Sequence, residues 1–168
     1  YDNVVYNVQN NVYCFVTEYL PGDSLDWLNN SLVNNQAVPD IDKIKDFASQ
    51  SLAGLKFLHD RNILHRDVKP ENFACQEDGE TLKVTLIDYG MAISSDTLQR
   101  QMSFNHTFVV GTKSYNSPEI KMKQPYDKST DMWSYGYTIF ILLAGAHPIF
   151  QNGRILYSNC RKITGKTY

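Results

Sequence analysis

The run His65-Arg66-Asp67-Val68-Lys69-Pro70-Glu71-Asn72 constrains this chain more than any other stretch. It places an acid, a cation and an amide within six residues, with Pro70 stiffening the backbone between them. Residues 63–72 follow neither a helical nor a strand period, so these polar groups sit on a loop that its neighbours must hold rigid. Seven fixed positions of this kind match by chance about once in a billion placements at ordinary residue frequencies.

The flanking sequence predicts the holder. Val12 to Val16 is β-branched and aromatic, a strand, and Val4-Val5-Tyr6 with the Gln9-Asn10-Asn11 turn completes a hairpin. Pro21-Gly22 breaks the chain. Asp23 or Ser24 then caps a short helix that carries Leu25, Leu28 and Leu32 on one face. The polar run 29–35 predicts a loop. Asp40 caps a helix over 41–60, with Ile41, Ile44, Ala48, Leu52, Leu55 and Leu58 as its apolar stripe. Phe73 to Cys75 and Leu82 to Ile87 predict two strands about the turn at 77–80. Residues 91–110 are polar and aperiodic, which predicts a long functional or disordered loop. Ser129 or Thr130 caps a helix to about Ala144, apolar nearly all round and so buried, ended by Gly145 and Pro148.

A chain of 168 residues with 42% apolar content suits one domain with a real core. A net charge of −2 excludes the strong basic footprint of nucleic-acid or anionic-membrane binders. The longest apolar stretch, 139–144, is too short to span a bilayer. Cys14, Cys75 and Cys160 are odd in number and far apart, which argues against zinc and disulfides and for a reducing, intracellular (cytoplasmic) setting. The sequence opens at Tyr1 directly on a strand-like segment, so it is expected to be a piece of a longer chain.

Phosphoryl transfer asks for this set of groups. It needs a positioned hydroxyl, metal ions on phosphates and stabilised charge, with little covalent help. Asp88-Tyr89-Gly90 follows sixteen residues after Asn72, at the end of an apolar strand, where a metal-binding carboxylate is well placed. Alone the triplet reads as a plain strand-end turn; after residues 65–72 it reads as part of the same site.

The chain resembles the eukaryotic protein kinase family along almost its whole length. Residues 111–119, ending Ser117-Pro118-Glu119, are similar to the segment that ends in Ala-Pro-Glu. Asp131-Met132-Trp133-Ser134-Tyr135-Gly136 resembles the opening of the central helix, and Val16-Thr17-Glu18-Tyr19-Leu20 the hinge. The resemblance implies an α+β fold, a mainly helical large lobe with short β-hairpins and the last strands of the smaller lobe. It implies residues 1–17 as the end of the small-lobe sheet, 18–23 as hinge, 24–168 as large lobe and 88–119 as activation segment. ATP and Mg²⁺ are the implied cofactors. Asp67 would orient the substrate hydroxyl and accept its proton, and Lys69 would steady the phosphoryl group. Asn72 and Asp88 would hold magnesium. Glu18 and Leu20 would meet adenine through their backbone, behind Thr17, with Ala74 beneath. Asp131 would tie down the catalytic-loop backbone, and His65 and Tyr89 would join the stack linking the lobes.

Lys69 and Thr112 imply serine/threonine specificity, and the span from 126 onward, with 156–157 and 163–166, is similar to the calcium/calmodulin-dependent group. Arg66 before Asp67 implies switching by phosphate on the activation segment, at Thr107 or Ser103. Protein substrates follow, with an upstream kinase or calmodulin-type regulator outside this chain as implied partners. Several positions depart from the family: Ser117 for alanine, Ala74 for a larger apolar residue, Lys113 for proline, Ser24 where a glutamate is common. No Gly-rich phosphate loop, Val-Ala-Ile-Lys lysine or late arginine to pair Glu119 occurs in the sequence. The competing reading is a pseudokinase or scaffold, which the retained Asp67, Lys69, Asn72 and Asp88 oppose. Among the remaining residues, His59, His106 and His147 read as structural or solvent-facing, Trp27 and Trp133 as core, Cys75 as a buried apolar residue, and Lys121 and Lys123 as exposed loop.

Overall fold

A computed structural model describes residues 3–7, 12–34, 40–103, 109–145, 150–151 and 154–155. Strands β1 (Asn3–Asn7) and β2 (Val12–Val16) form the expected antiparallel hairpin, Val5 opposite Cys14. Helix α1 (Ser24–Asn34) starts where Asp23 Oδ1 accepts the N–H groups of Leu25 and Asp26, and it runs through the polar stretch expected as a loop. Buried Trp27 and Leu28 anchor the helix, and that packing carries the asparagines after them.

Helix α2 (Ile41–His59) is capped by Asp40, whose side chain takes the Asp42 N–H at 2.9 Å. Its buried face is Ile44, Phe47, Ser51, Leu55 and Leu58. Ile41 and Leu52, expected in the stripe, are exposed. Ser51 takes the inward place because its hydroxyl donates to the Phe47 carbonyl at 2.6 Å, so it can be buried at little cost.

Strand β3 (Ile63–Leu64) leads into residues 65–72, which end in a 3-10 turn at Pro70–Asn72. Strands β4 (Phe73–Asp78) and β5 (Thr81–Leu86) form the second hairpin, tightened at Gly79 with φ 60. Phe47 stacks on Trp27 at 6.1 Å and meets Phe73 edge-on at 5.4 Å, which joins α1, α2 and β4 in one core.

The stretch expected as one long loop is partly ordered. Strand β6 (Ile93–Ser94) pairs with β3, and helix α3 (Ser95–Ser103) follows. Ser94 Oγ accepts the Thr97 N–H at 3.3 Å, and Leu98 sinks into a small cluster with Leu64, Ile120 and Tyr126. The apolar face of α3 is only Leu98 and Met102, one helical turn apart, which is too short a stripe to stand out in a polar run.

Helix α4 (Pro118–Lys121) precedes α5 (Ser129–Ala144). Asp127, rather than Ser129 or Thr130, accepts the first free N–H of α5, that of Ser129, at 2.8 Å. Gly145 closes α5 at φ 61, as expected. The helix is not buried all round: Met132, Trp133 and Leu143 are exposed, so Trp133 is no core residue. Trp27 is one. Tyr135 links α5 to α2 by donating to the Ala48 carbonyl at 2.7 Å. Strands β7 (Phe150–Gln151) and β8 (Arg154–Ile155) pair antiparallel. The architecture is α+β, helices with small antiparallel sheets, as expected. No described helix is long and apolar enough to cross a membrane. The residues at 8–11, 35–39, 106, 107, 147, 148, 156–157, 160 and 163–166 lie outside the described ones.

Candidate active site

Residues 65–72 hang from α5. Asp131, 1% exposed in the first turn of that helix, accepts the Arg66 N–H at 2.8 Å on Oδ1 and the His65 N–H at 2.9 Å on Oδ2. Oδ2 also meets His59 Nε2 at 2.8 Å. Arg66 lies at φ 66, a left-handed conformation that a non-glycine residue keeps only when its surroundings impose it. The guanidinium supplies two more restraints, with Nε donating to the Met91 carbonyl at 2.7 Å and Nη1 to the Tyr126 hydroxyl at 3.2 Å.

Four side chains then converge. Lys69 Nζ lies 2.9 Å from Asp67 Oδ2 and donates to Thr112 Oγ1 at 3.0 Å. The Thr112 N–H and hydroxyl both donate to Asp67 Oδ1 at 2.8 Å. Asn72 Nδ2 donates to the Asp67 carbonyl at 2.7 Å and to Oδ2 at 3.2 Å. Burial pushes the Asp67 carboxyl up, but the Lys69 ammonium and the Thr112 donors outweigh it and hold the group below the usual carboxylate range. Asp67 is thus an anion aimed by a cation, an amide and a hydroxyl. Such a group can take a proton from an incoming hydroxyl, and the ammonium beside it can meet a transferring anion.

Asp88 leaves β5 exposed, at φ 59, with Oδ1 accepting the Gly90 N–H at 3.1 Å. Since Asn72 spends its Nδ2 on Asp67, its amide oxygen is the group it offers a metal. Among the described residues no three His, Cys, Asp or Glu side chains gather to hold a cation on their own. One carboxylate and one amide oxygen suit a hard cation that takes its other ligands from phosphates and water, the habit of magnesium.

Around this centre, Thr17 and Glu18 are exposed and Leu20 is half-buried. The Thr17 hydroxyl donates to the Glu18 carbonyl at 3.3 Å, and the Glu18 carboxylate pairs with Lys83 at 2.8 Å. Ala74 is buried in β4 and bridged to Asp23. Beside it Cys75 is buried and free, its thiol pushed up to about 12 chiefly by burial, which makes it inert as expected. Ser24 is fully buried and donates to the Pro70 carbonyl at 2.6 Å, so it braces the loop rather than facing a substrate. His65 meets Tyr89 edge-on at 5.5 Å.

The 111–119 segment is strapped to both sides. Ser117 Oγ and Thr130 Oγ1 lie 2.7 Å apart, both buried, and Ser134 donates to the Tyr115 carbonyl at 2.9 Å. The serine that departs from the family's alanine thus adds a tie to α5. Glu119, in the first turn of α4, makes no ion pair among the described residues. Ser103 ends α3, exposed, its hydroxyl on the Gln99 carbonyl at 2.9 Å; Thr107 lies outside the described residues. At Gly111, φ is 74, and an added Cβ would stand 2.3 Å from the Arg66 carbonyl oxygen. Gly111→Ala should therefore destabilise the protein by about 2 kcal/mol, read from its urea midpoint. An unchanged midpoint would mean that the segment sits more loosely against the loop.

Two partners were not legible from spacing. His59, read as structural or solvent-facing, shares the Asp131 carboxylate, and Tyr126 receives Arg66. His59 lies on the last turn of α2, and only the packing of α2 on α5 brings it to Asp131.

Comparison with known proteins gives the same family. The protein kinase domain profile matches residues 3–166. Serine/threonine-protein kinase TIO of Arabidopsis thaliana is 33% identical over 143 residues, covering 83% of this chain and 10% of that protein. The meiosis-specific serine/threonine-protein kinase mek1 of Schizosaccharomyces pombe is 31% identical over 163 residues, 90% of this chain and 34% of that protein. CBL-interacting serine/threonine-protein kinase 12 of Arabidopsis thaliana is 36% identical over 135 residues, 80% and 26% respectively. The chain spans about a tenth to a third of these relatives' lengths. With a profile match over nearly all of its length, the chain belongs to the protein kinase domain family.

Proposed function

We propose that the full-length protein containing this chain transfers the γ-phosphate of ATP to serine and threonine hydroxyls of protein substrates. The observation that carries this is the closed set of Asp67, Lys69, Thr112 and Asn72. Asp67 orients the acceptor hydroxyl and takes its proton at Oδ. Lys69 meets the phosphoryl charge from its place between Asp67 and Thr112. Asn72 and Asp88 would hold Mg²⁺, which when bound neutralises and bridges the phosphates. Thr17, Glu18 and Leu20 line the adenine side over Ala74. On this reading residues 1–17 close the small-lobe sheet, 18–23 form the hinge, 24–168 belong to the large lobe and 88–119 form the activation segment. The Gly-rich loop and its lysine, not found in these residues, would come from elsewhere in the protein.

Regulation follows from Arg66. Among the described residues its guanidinium touches neutral acceptors, the Met91 carbonyl and the Tyr126 hydroxyl, which leaves its charge for a phosphate on Thr107 or Ser103 placed there by an upstream kinase. The calcium-linked group likeness extends to a calmodulin-type regulator. Free, buried Cys75 fits an intracellular setting.

The test is magnesium-dependent transfer of labelled phosphate from ATP to matched serine, threonine and tyrosine peptides. Serine and threonine peptides should be labelled and the tyrosine peptide spared, and mass spectrometry of the active protein should find phosphate on Thr107 or Ser103. No transfer to any peptide would favour the scaffold reading, and labelling of the tyrosine peptide alone would overturn the specificity.

A further inference from the structure

Two rings, the buried His65 and the more exposed Tyr89, meet at the exit of β5, and Tyr89 uses a hydroxyl that the stack with His65 does not require. The Ile87 N–H donates to the Asn72 carbonyl at 2.9 Å, which continues the ladder register by one bond, while the Asn72 N–H turns to the Lys69 carbonyl. Phe73 and Leu86, the next pair in the register, are then of the non-hydrogen-bonded kind. Their polar groups point away from the ladder, and the Phe73 N–H indeed turns to the Pro70 carbonyl. Among the described residues β5 pairs with one strand only; on its other edge Gln50 of α2 donates to the Leu82 carbonyl and accepts the Val84 N–H, and the Leu86 carbonyl is the next outward acceptor along that edge. Tyr89 fills that place, its hydroxyl donating to the Leu86 carbonyl at 2.8 Å. The neighbouring Ile87 carbonyl accepts from His65 Nε2 at 3.1 Å, while His65 Nδ1 takes the Asp67 N–H at 3.3 Å.

Between Leu86 and Tyr89 lies Asp88, at φ 59 in the left-handed region. A β-carbon there is unfavourable, so the turn persists only under restraint. The Tyr89 hydroxyl closes the turn from one residue beyond Asp88 to two residues before it. The Gly90 N–H to Asp88 Oδ1, at 3.1 Å, and the Ala92 N–H to the Tyr89 carbonyl, at 3.0 Å, close the turn that follows. The ring's edge contact with His65 would survive the loss of the hydroxyl. The Leu86 tie would not.

We propose that the Tyr89 hydroxyl is a positioning group: it latches the 86–89 turn and so fixes the carboxylate of Asp88. This rests on the kinase reading only for what the carboxylate then does; the latch itself is a statement about the turn. Tyr89→Phe in the full-length protein removes the latch and keeps the ring. Amide hydrogen exchange over 87–92 should rise about fivefold, the scale of one net hydrogen bond, with exchange in α2 and α5 unchanged. In the same variant the magnesium concentration for half-maximal phosphotransfer should rise several-fold, with kcat at saturating magnesium changed less.

The two arms separate the two ideas. Exchange over 87–92 equal to wild type would overturn the latch. Faster exchange with an unchanged magnesium requirement would overturn the link to Asp88. A wild-type protein with no phosphotransfer would count against the kinase reading, while the exchange measurement still decides the latch.

Discussion

Replacing Asp67 by asparagine should lower phosphotransfer by about 10²–10⁴-fold, the usual worth of a positioned base, with a modest loss of stability because Lys69 loses its charged partner. The amide keeps the shape of the side chain, and its oxygen can still accept from Thr112, which donates twice to Oδ1 at 2.8 Å. It cannot take a proton, and it gives Lys69 no charge to pair with. The loss should therefore appear in kcat, with KM for ATP near wild type and the urea midpoint lowered slightly by the lost Lys69 pair. The pH dependence carries a second signature. The carboxyl is held low, so its native state binds fewer protons than the unfolded chain above the native value. Its stabilisation is complete above the unfolded carboxylate value and fades as pH falls through the depressed native one. That acid-side loss, and the accompanying fall in rate, should be absent from the asparagine variant. Wild-type turnover by Asp67→Asn would remove Asp67 from the chemistry.

How far the site could be read in advance depended on whether its parts were local. Asp67, Lys69 and Asn72 lie within six residues, and the structure joins them by direct contacts. Thr112 entered as a marker of specificity; its bonds to both Asp67 and Lys69 depend on the 111–117 segment folding back over the loop, which residue spacing does not encode. Tyr126 was passed over for the same reason, and His59, read as structural or solvent-facing, is structural through a contact with Asp131 that spacing could not name. Helix α2 was legible because its buried residues recur at helical spacing, and β4 and β5 because their apolar, β-branched runs flank a polar turn at 77–80. Helix α3 was not, because a cap at Ser94 and one anchor at Leu98 hold it on a surface built from β3 and the residues around α4. The extension of α1 past Asn29 and the exposure of Trp133 are likewise tertiary outcomes, set by what each helix packs against rather than by its own composition.

Asp131→Ala should be the most damaging single change outside the reacting groups. Asp131 is 1% exposed and serves three donors: two adjacent backbone N–H groups of the 65–72 loop and the His59 ring. Alanine leaves them without an acceptor in a site that excludes water. Orphaning the buried His65 N–H and the half-buried Arg66 N–H costs about 3 kcal/mol, a large share of a domain's net stability. The damage is also directional. Arg66 keeps its left-handed backbone against a steric preference, and its N–H to Asp131 is a backbone restraint on that conformation. Without it Arg66 should relax and carry Asp67, the next residue, out of register with Lys69 and Thr112. Turnover should then fall further than the folded fraction does, and exchange at residues 65–68 should rise ahead of global unfolding. Asp131→Asn, which keeps one acceptor oxygen but turns an NH₂ group toward the other donors, should fall between the two. If Asp131→Ala melts and turns over like wild type, the loop is held from its own side chains, and α5 is only a floor beneath it.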